Sequence, residues 1–227
     1  MTESSRNGKN NNEVRIPINS IVLEGNLVIP EEAHRIVVFA HGSGSSRHSS
    51  RNKYVARELQ KEGFGTLLFD LLTTEEERID MVTAHLRFDI DLLANRLVSV
   101  TNWLLMNPVT ENFKIGYFGA STGAAAALIA AKENSSVVKA IVSRGGRPDL
   151  AEKALSDVKA PTLLIVGGND FQVINMNQWA FERLTVKEKK LELVQGATHL
   201  FEEPGTLEKV AFLAGKWFKR YLHREFM

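Results

Sequence analysis

Two short apolar runs, Val14–Ile18 and Ile21–Ile29, flank Asn19-Ser20 and predict a β-hairpin. Arg35–Ala40 (RIVVFA) is a continuous apolar run, the pattern of a strand covered on both faces. The same character returns at Gly65–Phe69, Lys114–Phe118, Val137–Val142, Thr162–Val166 and Lys190–Val194. Helix-like patterns lie between and after these runs. They cover Asn52–Glu62, Phe88–Met106, an Ala-rich Ser121–Lys132, Leu150–Leu155, Val173–Leu184 and Leu207–His223. Asn107-Pro108 stops the longest, because proline has no N–H to give and clashes with the preceding turn. Strands alternating with helices predict an α/β fold: a mostly parallel central sheet with helices on both faces and an N-terminal antiparallel hairpin. Without an internal repeat or a Pro/Gly-rich linker, one domain over residues 13–227 is expected. Residues 1–12, polar and rich in Ser and Asn, are expected to be a disordered lead-in.

In such sheets ligands sit outside the carboxyl ends of the strands, so the residues just after each strand hold the candidate chemistry. After Lys114–Phe118 comes Gly119-Ala120-Ser121-Thr122-Gly123, a G-x-S-x-G pattern. A chain of this length shows that pattern by accident about 0.08 times, from average Gly and Ser usage. The buried strand before it and the helix after it supply the context of a nucleophile elbow, with Ser121 as nucleophile. A serine hydroxyl needs a base. Only His199 and His223 follow Ser121, and His199 sits in a loop after a strand while His223 ends a helix. The acid should follow another strand. Asp170 does so in Gly167-Gly168-Asn169-Asp170; Asp149 is the rival, and an N-cap is the alternative role for Asp170. The oxyanion needs two backbone N–H groups. Thr122 is expected to give one and the loop His41-Gly42-Ser43-Gly44-Ser45-Ser46 the other, through Ser43 with Gly44 next in order. That loop lacks both glycine-rich phosphate-binding patterns.

Composition narrows the setting. The formal net charge is +1, which argues against a nucleic-acid or anionic-membrane surface. The chain has no cysteine, so disulfides, thiolate metal sites and a cysteine nucleophile are excluded. No apolar run is long enough to span a bilayer, and the first residues lack the apolar stretch of a secretory signal, so a cytoplasmic protein is expected. The histidines are scattered without metal-ligand spacing, and neither a metal nor an organic cofactor is expected.

The segments HGSGSSRHS, GASTG, VSRGGRPDL, LLIVGGND and GATHLFEEPG resemble the serine-bearing branch of the dienelactone hydrolase-like family, within the α/β-hydrolase superfamily. The resemblance runs from about Arg35 to Leu222. It implies Ser121, Asp170 and His199 as a catalytic triad. True dienelactone hydrolases carry cysteine where this chain has Ser121. In bacteria such domains also occur joined to phosphoribosyltransferase-like domains. The expected activity is carboxylesterase-like cleavage of a small-molecule ester through an acyl-enzyme. A non-catalytic or regulatory domain and an acyltransferase are the alternatives.

Arg144 and Arg147 flank Gly145-Gly146 after a strand, and either grip a substrate carboxylate or brace the loop against Asp149. Arg47 and His48 are placed near the entrance, and Asp70 is expected to pair with a neighbour. Trp103, Trp179 and Trp217 are expected in the core. The stretch Val142–Leu150 is too short for a helical cap, so Leu71–Arg87 is the one candidate lid, and short-chain esters are expected to be preferred.

Overall fold

A computed structural model describes residues 12–223. The lead-in expected over residues 1–12 falls almost wholly outside the described residues. Among the described residues eight strands form one sheet in the order β1-β2-β4-β3-β5-β6-β7-β8. The strands are β1 (Glu13–Ile18), β2 (Ile21–Val28), β3 (Arg35–Ala40), β4 (Gly65–Phe69), β5 (Lys114–Ala120), β6 (Val138–Arg144), β7 (Thr162–Gly167) and β8 (Lys189–Val194). The β1–β2 and β2–β4 pairs are antiparallel and the other five are parallel. The fold is therefore the mostly parallel α/β sheet that the alternating pattern predicts, with the antiparallel lead-in, and it is the α/β-hydrolase architecture that the resemblance implies. Asn19 turns the hairpin at φ 51, a conformation its side chain tolerates better than most.

Among the described residues seven α-helices cover the sheet: α1 (Ser50–Lys61), α2 (Thr74–Thr83), α3 (Ile90–Met106), α4 (Thr122–Glu133), α5 (Glu152–Leu155), α6 (Phe171–Arg183) and α7 (Thr206–Tyr221). Strand side chains alternate between the two faces. Ile36, Val38 and Ala40 of β3 join Leu93, Leu97 and Leu104 of α3 and the alanines of α4 in one core. Val37 and Phe39 join Val55 and Leu59 of α1 and Val210 and Phe218 of α7 in the other. In α3, Leu93, Leu97, Val100 and Leu104 lie on one face at helical spacing, and the Asp89 side chain caps its first turn. Trp217 is buried, while Trp103 and Trp179 pack at the edge of the core.

The chain moves outward from β3 to β4 and then crosses back to β5 on the other side. The carboxyl ends of β3 and β5 thus lie side by side at the point where the strand order reverses, where open α/β sheets bind ligands. One strand runs longer than its apolar pattern. β6 continues through Ser143 and Arg144, both buried, so Arg144 is a strand-end residue rather than a loop residue.

Candidate active site

Ser121 links β5 directly to α4 at φ 50, ψ −124, in a region that side chains rarely occupy. The sequence tolerates this turn because of its glycines. A Cβ on Gly119 would lie 2.5 Å from the Ala124 Cα, and one on Gly123 would overlap the carbonyl oxygens of Ala40 and His41. The alanine-rich first turns of α4 bring the helix close behind the serine. A Cβ on Gly42 would approach the Ser121 Cβ at 2.9 Å, so the loop after β3 lies directly against the elbow.

His199, in the loop after β8, hydrogen-bonds through Nδ1 to Asp170 Oδ2 at 2.7 Å. Asp170 follows β7 and is largely covered, while the imidazole is 40% exposed. Asp170 is also the cap residue of α6, but its side chain makes no capping bond, and the imidazole takes it instead. The rival Asp149 is engaged elsewhere, accepting two forked bonds from Arg147 at 2.8 and 2.9 Å. His223, beyond α7, is exposed and bonds the Arg220 carbonyl. Ser121, His199, Ser43 and Arg144 line one cavity of about 230 Å³.

The loop after β3 is held by His41. Its Nδ1 donates to the Gly42 carbonyl at 3.0 Å, and its Nε2 accepts from the Leu71 amide at 3.1 Å, which fixes a neutral ring in one tautomer. Desolvation lowers the pKa of His41, against smaller opposing effects of the Gly42 carbonyl, Asp70 and Glu77. The Ser45 amide bonds the same Gly42 carbonyl at 3.1 Å. A trans peptide points its C=O and N–H in opposite directions. Fixing the Gly42 carbonyl therefore aims the Ser43 N–H away from His41, and it meets the Thr122 hydroxyl at 2.9 Å. The two expected oxyanion donors, Ser43 and Thr122, are thus brought together, with the Ser43 N–H occupied by the Thr122 side chain.

The two arginines beside Gly145-Gly146 separate. Arg144 lines the cavity; Arg147 is not among the lining residues and forks onto Asp149, which is a bracing role. Of the two roles expected for Arg147, the bracing one matches its guanidinium's position, held by Asp149 two residues away. Arg47 ion-pairs with Asp70 and Glu24, and His48 contacts Lys53 at the surface. The sequence reading gave no role to His41, Arg51 or Asn52, although the last two line the same cavity. Only the sheet order brings the start of α1 there.

On the other side of Gly42, Ser43 and Ser45 lies a second cavity of about 260 Å³, walled by Leu71, Leu72, Met81 and Leu93. Its roof is α2, which begins in a reciprocal capping box between Thr73 and Glu76. Arg96 bonds Glu76 at 2.6 Å, and Arg87 bonds Asp80 at 2.6 Å. Among the described residues no cluster of His, Asp and Glu has the makings of a metal site.

The match to the model of the Dienelactone hydrolase family covers residues 23–220. The chain belongs to that family. A crystal structure of dienelactone hydrolase from Anabaena variabilis is 60% identical, with a TM-score of 0.91, and the match covers 93% of this chain and 97% of that one. Est1E from Butyrivibrio proteoclasticus (15% identity, TM-score 0.77, covering 92% and 98%) shares the fold. So does an esterase of Pyrococcus furiosus (21% identity, TM-score 0.76, covering 93% and 91%). Two Mycobacterium tuberculosis strains carry a protein named "Putative phosphoribosyl transferase" that is 57% identical over 210 residues. That match takes in 92% of this chain but only 46% of the relative, so the chain spans less than half the length of the curated proteins it matches. In this family's fold the elbow at Ser121, the His199–Asp170 pair and the loop after β3 all follow the carboxyl ends of strands.

Proposed function

We propose that the chain is a serine hydrolase that cleaves esters of small soluble substrates through an acyl-enzyme. The observation that carries this reading is the 2.7 Å bond from His199 to Asp170, beside Ser121 on its strained elbow. With Nδ1–H donated to Asp170, Nε2 is left as the basic nitrogen. It takes the Ser121 proton as Oγ attacks the ester carbonyl. The developing oxyanion accepts from the Thr122 N–H, an unpaired donor of the first turn of α4, and from the Ser43 N–H in place of the Thr122 hydroxyl. Collapse breaks the ester C–O bond, and the imidazolium returns the proton to the leaving alcohol. Water, deprotonated by the same nitrogen, then releases the acid and restores Ser121.

The transferase name of the curated relatives belongs to proteins more than twice this span, and the span shared with this chain is the hydrolase-family part. The proposed substrate is a small molecule with a short acyl group, supported by the modest cavities on either side of the loop. A cytoplasmic setting, with neither nucleic acid nor membrane as partner, is supported by a chain with no cysteine and a net charge of +1. No helix among the described residues is long and apolar enough to cross a membrane. The test is labelling with a fluorophosphonate beside a panel of esters. Wild-type protein should label and turn over acetyl and butyryl esters, and Ser121→Ala should do neither. A wild-type protein inert to both reagents would sink the reading.

A further inference from the structure

Burying a guanidinium is costly unless acceptors meet it. Four other arginines near the site each have a carboxylate partner, with the Nε atoms of Arg47 and Arg96 left unmet. Arg47 pairs with Asp70, Arg87 with Asp80, Arg96 with Glu76 and Arg147 with Asp149. Arg144 does not. It is 7% exposed, and among the described residues no carboxylate pairs with it. Its Nη2 makes a long bond to Asn52 Oδ1 at 3.3 Å, its guanidinium lies 5.9 Å from the Phe201 ring centre, and its Nε has no acceptor. Arg51 lines the same cavity and reaches only Glu202 at 3.2 Å, a residue largely in solvent, while its own Nε is unmet. Burial and then the nearby Arg51 charge push Arg144 down to about 10, which still leaves it charged at neutral pH. The first turn of α1 faces the cavity through Ser49, Arg51 and Asn52. The Ser49 hydroxyl takes the Asn52 N–H, and the amides of Ser50 and Arg51 have no acceptor among the described residues. The positive end of a helix dipole therefore adds to two guanidiniums.

We propose that Arg144, Arg51, Asn52 and the first turn of α1 form a subsite for a phosphate monoester dianion carried by the substrate. The word substrate rests on the hydrolase reading; the subsite itself does not. A lone carboxylate fills one guanidinium fork and leaves the second arginine and the helix end unmet. A phosphate monoester brings three acceptor oxygens and a charge between −1.5 and −2 near neutral pH, which matches three convergent sources of positive charge. Ser121 and His199 line the same cavity, so the phosphate and the scissile ester belong to one small molecule.

Binding is measured by ³¹P NMR titration of inorganic phosphate into wild-type and Ser121→Ala protein, which needs no turnover. Saturable binding is expected in both. Arg144→Gln should weaken it about tenfold or more, the size of one charge-assisted hydrogen bond. Arg51 is partly exposed, so Arg51→Gln keeps the fold and should weaken binding severalfold. No saturable binding to wild type, equal affinity in both arginine variants, or displacement by acetate as effective as phosphate at equal concentration each overturns the subsite. Hydrolysis then compares acetylglycerol 3-phosphate with acetylglycerol. The phosphorylated ester should have the higher kcat/KM by about tenfold, and Arg51→Gln should remove most of that preference. Equal kcat/KM values overturn the substrate assignment. Arginine-dependent phosphate binding with neither ester cleaved upholds the subsite and sinks the hydrolase reading.

Discussion

The two cavities on either side of the Gly42–Ser45 loop have similar size and differ in how their charges are partnered. Under α2, Leu71, Leu72, Met81 and Leu93 form part of the walls, and Asp80 pairs with Arg87 and Asp70 with Arg47. Beside Ser121 the wall includes Arg144, a buried charge with no acidic partner among the described residues. The arginines on one side of the loop have carboxylate partners and Arg144 on the other has none among the described residues, which separates braced from unbraced charge. The α2 side stabilises a wall. The Ser121 side keeps polar groups unspent for a bound molecule.

The largest effect that sharpens this contrast is loss of the nucleophile. Ser121→Ala should lower kcat by up to about 10⁶, the precedent for a triad serine, measured on the acetyl ester; a folded variant with near-normal turnover breaks the assignment. Next is Asp170→Asn, which disfavours the working tautomer of His199 and should cost up to about 10⁴ in kcat. Asp149→Asn should cost far less activity, because it only loosens the Arg147 brace, and reversed effects would exchange the two acids. The α2 side should act weakly. Lengthening the acyl chain should raise kcat/KM by at most about fourfold per methylene over the first few carbons, from roughly 0.8 kcal/mol per CH₂, and Met81→Ala should flatten that rise. A steady climb to sixteen carbons would mean that the wall is not a boundary.

The smallest effect concerns pH and stability. His41 is neutral in the folded protein and its pKa is lowered by desolvation. The unfolded chain then binds more protons, so stability falls as pH drops below the unfolded value of about 6.5 and levels off below the folded value. Denaturation midpoints between pH 5 and 8 should show this slope, and His41→Asn should reduce it.

Much of this was legible in the chain. Long apolar runs named the strands, and Ser121, Asp170 and His199 each follow one, which is where this architecture puts its chemistry. What escaped did so for local reasons. The extent of α2 is unmarked beyond its acidic start at Glu75-Glu76-Glu77, because the helix buries only Asp80 and no apolar stripe runs along it. β6 was cut short because Ser143 and Arg144 are polar yet buried. Arg51 and Asn52 open a helix that is amphipathic in the ordinary way, and only the sheet order turns its first residues toward Ser121. His41 looked like part of a glycine-rich loop, and its two hydrogen bonds depend on where Leu71 returns. The fork from Arg147 to Asp149 was foreseen only as one of two options, because two residues of spacing do not fix side-chain direction.

The backbone at Ser121 has one more consequence. Conformations of its kind cost about 1–3 kcal/mol for a residue with a Cβ, and alanine suffers the strain as serine does. Glycine does not. Ser121→Gly should therefore yield a dead protein that melts higher than both wild type and Ser121→Ala. The net gain is about 1 kcal/mol once glycine's extra chain entropy is subtracted, or roughly 2–4 °C for a chain of this size. Heat resistance and a side chain at this turn therefore pull the sequence in opposite directions.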